Sequence, residues 1–179
     1  MLNLKELRRV VTGHDSGGKS VVVIDGPPGT VLGGGVAELW ITDTTPADNL
    51  AAGDSAVREL RLEPPPNGSI FRFFAIPPED PSVSRSDMEK TMAAAMQAVG
   101  AGHNRPDTTR HPGMHTTDTV DYIVLLTGEV TLLLDKTEVN LKPFDTVVQR
   151  GTNHAWVNRG KEPALAVGVL ISAKPARKA

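Results

Sequence analysis

Four side chains carry most of the chemistry this sequence offers: His111, His115, Asp121 and His154. Alternate residues of an extended segment share a face, so residues 117–125, read as a strand, put Thr117, Thr119, Asp121, Ile123 and Leu125 together. Ile123 and Leu125 belong in a core, which turns Asp121 inward, and an extended approach brings the His115 imidazole to the same interior. The same parity places His154, Trp156 and Asn158 on one face of a later strand. A carboxylate among apolar side chains needs a partner, because burying it alone is very costly. Two imidazoles and a metal ion would provide one. Two histidines and a carboxylate with open positions suit non-haem iron, and neutral imidazole equally suits zinc, nickel or copper. The alternative is that Asp121 hydrogen-bonds Thr117 or Thr119 while His115 lies on a surface loop, and residue parity leaves both readings open.

A second pattern is rejected. Gly13-His14-Asp15-Ser16-Gly17-Gly18-Lys19-Ser20 matches the phosphate-loop spacing G-x-x-x-x-G-K-S. That loop works because a helix begins at its Lys-Ser end and aims backbone N–H groups at phosphate. Here Val21-Val22-Val23-Ile24 and then Pro27-Pro28 oppose a helix, so the segment is a turn between two strands.

The elements that must position these groups are short and mostly β. Residues 20–24, 37–42 and 70–76 read as strands ended by Asp25-Gly26-Pro27-Pro28, Thr45-Pro46 and Pro77-Pro78. From Val120 onward, runs at 120–126, 129–134, 138–141, 146–149, 155–158 and 164–171 follow one another with turn residues between them, the density of a sandwich or barrel. One helix is expected over about 86–99. Ser86 and Glu89 have capping-box spacing, Met88, Met92 and Met96 share a face, and Gly100 and Gly102 stop it. The methionine stripe is read as packing on the barrel or on a second copy.

Composition narrows the classes. The chain has 179 residues, which suits one domain, and no cysteine, which excludes thiolate zinc sites, iron–sulfur centres, disulfide scaffolds and cysteine nucleophiles. Nineteen basic against 21 acidic residues give a net charge of −2, so neither nucleic acid nor an anionic membrane is an expected partner. No apolar run approaches the roughly 18 residues of a membrane span, and the opening residues lack a signal-peptide core, so a soluble cytoplasmic protein is expected.

The motifs resemble those of the cupin family. His115-Thr116-Thr117-Asp118-Thr119-Val120-Asp121, with six residues more to Gly128, is similar to that family's first motif, G-x5-H-x-H-x3-4-E-x6-G. Gly151-Thr152-Asn153-His154-Ala155-Trp156-Val157-Asn158 matches G-x2-H-x3-N of the second. The likeness covers roughly residues 110–172. It implies a mainly β fold, a cupin-type jelly-roll β-barrel with an N-terminal β extension and one inserted helix. It divides the chain into N-terminal strands and helix packing on the barrel (1–104), a barrel core (105–173) and a disordered basic tail (174–179), all one structural domain. By the same resemblance His115, Asp121 and His154 are the metal ligands, and His111, Thr117, Gln149 and Trp156 line the substrate pocket. The sequence departs from the pattern where Thr117 replaces the second histidine, Asp121 the glutamate, Gln149 the proline and Thr109 the leading glycine. His111 is a substitute for the missing imidazole or an exposed loop residue.

The resemblance implies a metal-dependent enzyme acting on a small organic molecule, of isomerase, lyase/decarboxylase or dioxygenase type, with iron, zinc, nickel, manganese or copper as the divalent ion, or none. The alternative is a non-catalytic, metal-free small-molecule binder or sensor. It also implies a homodimer with a small-molecule ligand as partner.

Overall fold

The computed structural model describes residues 3–33 and 35–176. Eleven strands and one α-helix follow in chain order: β1 (Arg9–His14), β2 (Ser20–Gly26), β3 (Thr30–Leu32), β4 (Val36–Thr42), β5 (Ser69–Ile76), α1 (Arg85–Ala98), β6 (Thr119–Thr127), β7 (Val130–Leu134), β8 (Glu138–Leu141), β9 (Thr146–Arg150), β10 (His154–Val157) and β11 (Ala164–Ser172). Strands β3-β4-β5-β11-β6-β9 form a six-stranded sheet, β10-β7-β8 a three-stranded one, and β1-β2 a separate ribbon. All pairings are antiparallel.

The two larger sheets share one core, the jelly-roll arrangement expected from the sequence. Ile76, Ile123, Leu125, Ala164 and Ala166 from the six-stranded sheet meet Val130, Leu132 and Leu141 from the smaller sheet. Removing such side chains from water is the main favourable term in folding. In β6, Thr119, Asp121, Ile123 and Leu125 are buried while the intervening residues are less so, the period-2 pattern of a strand with one face in the core. Strand β7 is buried on both faces, because Leu133 packs outward under Met114 with Ala155 and Val157. Gly128 joins β6 to β7 at φ +76°, a conformation that side chains disfavour, and a Cβ there would meet Ala164.

Strands β4 and β5, expected to pack on the barrel, are hydrogen-bonded members of its larger wall: β5 pairs with β11 from Ser69↔Ile171 to Ile76↔Ala164. The phosphate-loop pattern is a turn. The Asp15 carboxylate accepts from the Gly17 and Lys19 N–H groups, and β2 follows with no helix. Of the tail expected over 174–179, residues 174–176 are exposed and irregular, and 177–179 lie outside the described residues.

Helix α1 starts two residues before the capping box read from the sequence. Ser84 is the N-cap, its Oγ accepting from the Asp87 N–H, and Gly100 at φ +74° follows the end. None of its residues is buried. It lies across the opening of the barrel, tied down by Arg105–Glu89 at 2.7 Å and by the Arg85 guanidinium donating to the carbonyls of Thr108 and Thr109.

Candidate functional site

The helix roofs a cavity of about 620 Å³ running into the barrel. Met88, Met92 and Met96 line it from above, on the side of the helix that faces the barrel. Phe74, Ile123, Trp156 and Leu170 form the apolar walls, and His111, His115, Thr117, Asp121, His154 and Arg72 add polar surface.

Backbone pairing brings two of these histidines together. His115 and His154 form a bridge in which each N–H donates to the other's carbonyl at 2.9 Å, and residues paired this way present side chains directly opposite one another. Their ring centroids are 4.4 Å apart. Gly151 turns the chain from β9 into β10 at φ +58°, and a Cβ there would stand 2.9 Å from the Thr117 carbonyl oxygen, so the glycine of the second motif keeps the two segments close.

Each imidazole has its tautomer set by a carbonyl two residues back. His115 Nδ1 donates to Gly113 O and His154 Nδ1 to Thr152 O, both at 2.9 Å, which leaves each Nε2 as a bare lone pair. Burial holds both rings neutral. The His115 pKa is lowered, and that of His154, buried and next to His115, is pulled down to about 3. His111 has the opposite tautomer. Its Nδ1 accepts from the Gly113 N–H and its Nε2 donates to Glu79 at 2.6 Å, closing the mouth of the cavity.

Asp121 faces the same cavity but stands apart from the imidazole pair. Burial pushes its carboxyl up to about 6, against a hydrogen bond from Thr119 and the charge of Arg72, while Glu63 adds to the rise. Its Oδ1 is buried and has no hydrogen-bond partner among the described residues. Thr117, at the position of the missing histidine, is buried with its hydroxyl engaged by Thr119 at 2.7 Å. Among the described residues no three His, Cys, Asp or Glu side chains are grouped so as to hold a metal ion. The donor set is therefore two neutral imidazoles side by side with a separate carboxyl, which does not fit the three-residue metal centre implied by the cupin resemblance.

The four expected pocket residues divide. His111, Thr117 and Trp156 line the cavity, with Trp156 edge-on to His154 at 5.7 Å and 6.0 Å from the Phe74 ring. Gln149 is buried opposite Asp121 in the β6–β9 register, but its amide donates to Thr152 and it is not on the cavity surface. Asn158, the last residue of the second motif, is structural: its Nδ2 donates to the carbonyls of Ile76 and Glu162 and so ties β10 to the far sheet.

Sequence reasoning missed Arg72, Glu38 and Glu79. Arg72 lines the cavity, yet its guanidinium is held by both Glu38 oxygens at 2.7 and 3.3 Å and by the carbonyls of Arg61 and Leu62. The signal was present. Arg72 is the one charged residue of β5 and Glu38 the one charged residue of β4, and the register places them opposite each other.

Among the described residues no helix is long and apolar enough to cross a membrane. No family model matches the chain. Among solved structures it is similar to a cupin 2 conserved barrel domain protein from Salinispora arenicola, at 15% identity and a TM-score of 0.37 over 57% of this chain and 62% of that one. It is likewise similar to an RmlC-like cupin family protein from Methanocaldococcus jannaschii, at 12% identity and a TM-score of 0.37 over 58% of this chain and 70% of that one. Among curated proteins it is 31% identical over 184 aligned residues to phomopsin biosynthesis cluster proteins C′ and D of Diaporthe leptostromiformis, covering 96% of this chain and 82% of each relative. Oryzines biosynthesis cluster protein J of Aspergillus oryzae is 44% identical over 71 residues, 36% of this chain and 40% of that protein. Both motifs are carried on a two-sheet antiparallel barrel, and the chain belongs to the family of the phomopsin biosynthesis cluster proteins C′ and D.

Proposed function

We propose that this protein is a biosynthetic enzyme that binds a largely apolar small molecule inside the barrel and moves a proton on it, in an isomerase or lyase type of reaction. The observation that carries this reading is convergence. One roofed, apolar cavity is shared by two neutral imidazoles whose Nε2 lone pairs are unused and by a buried carboxyl with an unpartnered oxygen. Largely apolar cavities with a few convergent polar groups and shifted pKa values are where small-molecule chemistry is found. The names of the relatives support a place in a biosynthetic route.

In this reading Asp121 is the base, since a carboxyl pushed up to about 6 is close to the operating pH and accepts a proton more readily than an ordinary one. It takes a proton from a substrate carbon, and the C–H electron pair moves into a new double bond. Where an adjacent double bond shifts in turn and its electron pair takes up the returned proton, the result is an isomerisation. Where the bond to a leaving group on the neighbouring carbon breaks and the group departs with that bond's own pair, the result is an elimination. His115 and His154 accept hydrogen bonds from the substrate and fix its orientation, which supplies much of the rate when reacting atoms are held close. The methionine roof keeps water out and adapts to irregular shapes, because methionine is unbranched and flexible.

The test is capture followed by exchange. Native mass spectrometry of the purified protein should find a bound small molecule. In D2O the wild type should incorporate deuterium into it, while the molecule that Asp121→Asn still retains, at whatever occupancy, shows no exchange. Absence of any retained molecule would overturn the reading. So would stoichiometric metal that disappears in His154→Ala, which would move the chemistry to a metal centre.

A further inference from the structure

We propose that the ligand of this cavity carries a protonated amine, an organic ammonium group on an apolar body, seated against the acceptor edges of His115 and His154, with the charge of Asp121 in the same cavity attracting it. The inference rests on the cavity being a small-molecule site, and it specifies what the polar end of that molecule must be.

Two independent observations carry it. The first is hydrogen-bond capacity. His115 and His154 have both spent their Nδ1 protons on backbone carbonyls, so each can only accept at Nε2. Asp121 Oδ1 is a further buried acceptor without a donor among the described residues. Most neighbouring donors are engaged: one of the two hydroxyl protons of Thr117 and Thr119 is shared between them, Asn158 gives both amide protons to carbonyls, and four of the five Arg72 N–H groups go to Glu38 and two carbonyls. A cavity that offers acceptors and few donors selects a ligand that supplies the donors. An ammonium brings three and accepts none, as a lysine head group does. A carboxylate or phosphate brings only acceptors and would leave every lone pair facing another.

The second observation is charge. The acidic residues on the cavity wall are Glu79 and Asp80 near the mouth and Asp121 within, and the cation among them, Arg72, is held by buried Glu38. An organic cation entering past Glu79 and Asp80 therefore meets attraction from the mouth to the seat. A cation in low dielectric gains more from a carboxylate than it would in water. The two imidazoles add neutral lone pairs on the other side. The methionines, Phe74 and Trp156 enclose the rest of the ligand, and the two rings also suit a neighbouring cation.

The discriminating experiment compares three probes with the same eight-carbon chain and different heads, octylamine, octan-1-ol and octanoate, by titration calorimetry at pH 7.5 on chelator-treated protein. Octylamine is expected to bind at least tenfold more tightly than octan-1-ol, with octanoate weakest. Asp121→Asn, which keeps the shape, is expected to weaken octylamine about tenfold and to leave octan-1-ol within twofold. That ratio is read within one folded protein, so a general loss of stability does not imitate it. Equal or tighter binding of octanoate overturns the proposal while leaving the cavity a ligand site. An unchanged octylamine affinity in Asp121→Asn does the same. Failure of all three probes to bind, or octylamine binding that survives filling of the cavity by Met92→Trp, removes the small-molecule reading and this inference with it.

Discussion

Two buried polar clusters share the wall of this barrel, and they differ in how completely they are satisfied. Arg72 and Glu38 close on each other: two contacts between guanidinium and carboxylate, with two further carbonyls on the guanidinium, use four of the five N–H groups and engage both carboxylate oxygens. The His115–His154 pair and Asp121 stay open, with Nε2 atoms and a carboxyl oxygen left over. A closed buried network rigidifies a fold, whereas an open one is costly unless something from outside completes it. The first cluster is thus a strut between β4 and β5, and the second is the working face. The closed cluster should show its importance in stability and the open one in ligand binding.

The largest expected effect breaks the closed pair. Glu38→Ala or Arg72→Ala leaves one charge buried alone and should destabilise the protein by about 3–5 kcal/mol, seen as a lower midpoint in urea. Replacing both by well-packed apolar residues should recover most of that loss, because the penalty comes from the orphaned charge rather than from a missing attraction. If either single variant is as stable as the wild type, the assignment of this pair as a strut is lost.

Next in size is a pH effect at the open cluster. The Asp121 carboxyl is raised in the folded chain from 3.8 to about 6, so the folded state holds its proton more tightly than the unfolded state. The sign follows: its stabilising contribution is present below about 4 and is lost as pH rises through 6, by roughly 3 kcal/mol for a shift of about two units. His154 works the other way. Lowered from 6.5 to about 3, it contributes fully above 6.5 and loses that contribution as pH falls through 3. The two partly cancel in the whole protein, so the quantity to measure is the unfolding free energy of wild type minus that of Asp121→Asn. That difference should fall between pH 4 and 7, and a flat difference would mean that Asp121 is not held in a desolvated site.

The open cluster was more legible in sequence than the closed one, for a physical reason. Strand parity turns Asp121, His154 and Trp156 inward whatever the rest of the fold does, and β6 to β11 announce themselves by alternation and turn residues. The closed pair depends on which strands become neighbours, and nothing local in 36–42 or 69–76 states that β4 lies beside β5. The short β3 was also missed, because a strand of three residues carries no core-facing alternation, whereas β1 was implied as the strand before the turn at 13–20 without bounds. The separation of Asp121 from the imidazole pair was not legible either, because parity gives the direction of a side chain and not its distance from residues on another sheet.

A smaller effect is expected at the mouth. Glu79→Ala removes the acceptor of the His111 Nε2–H and should cost about 1 kcal/mol, the usual net worth of one hydrogen bond. Its sharper readout is kinetic. Octylamine should enter more slowly by stopped-flow Trp fluorescence, because an attracting charge at the mouth is gone, while its equilibrium affinity changes less than in Asp121→Asn. A drop in affinity matching that of Asp121→Asn would place Glu79 at the seat rather than at the mouth.

The smallest effect sharpens the contrast between the two sides of one strand. Register places Trp40, Phe71, Val169, Tyr122 and Val148 in a row across the outer face of the six-stranded sheet, one residue along from Asp121 on the opposite side of β6. Tyr122 is 53% exposed, so its ring loses little on truncation. Tyr122→Ser should change stability by no more than about 0.5 kcal/mol, the range of ordinary surface substitutions, and leave octylamine affinity unaltered. Because Asp121 and Tyr122 share a strand and are adjacent in sequence, a general loosening of β6 would affect both variants alike. A loss of affinity in Tyr122→Ser comparable to that in Asp121→Asn would therefore mean that the response belongs to the strand as a whole, and the acceptor edge inside the barrel could no longer be credited with recognising the ligand.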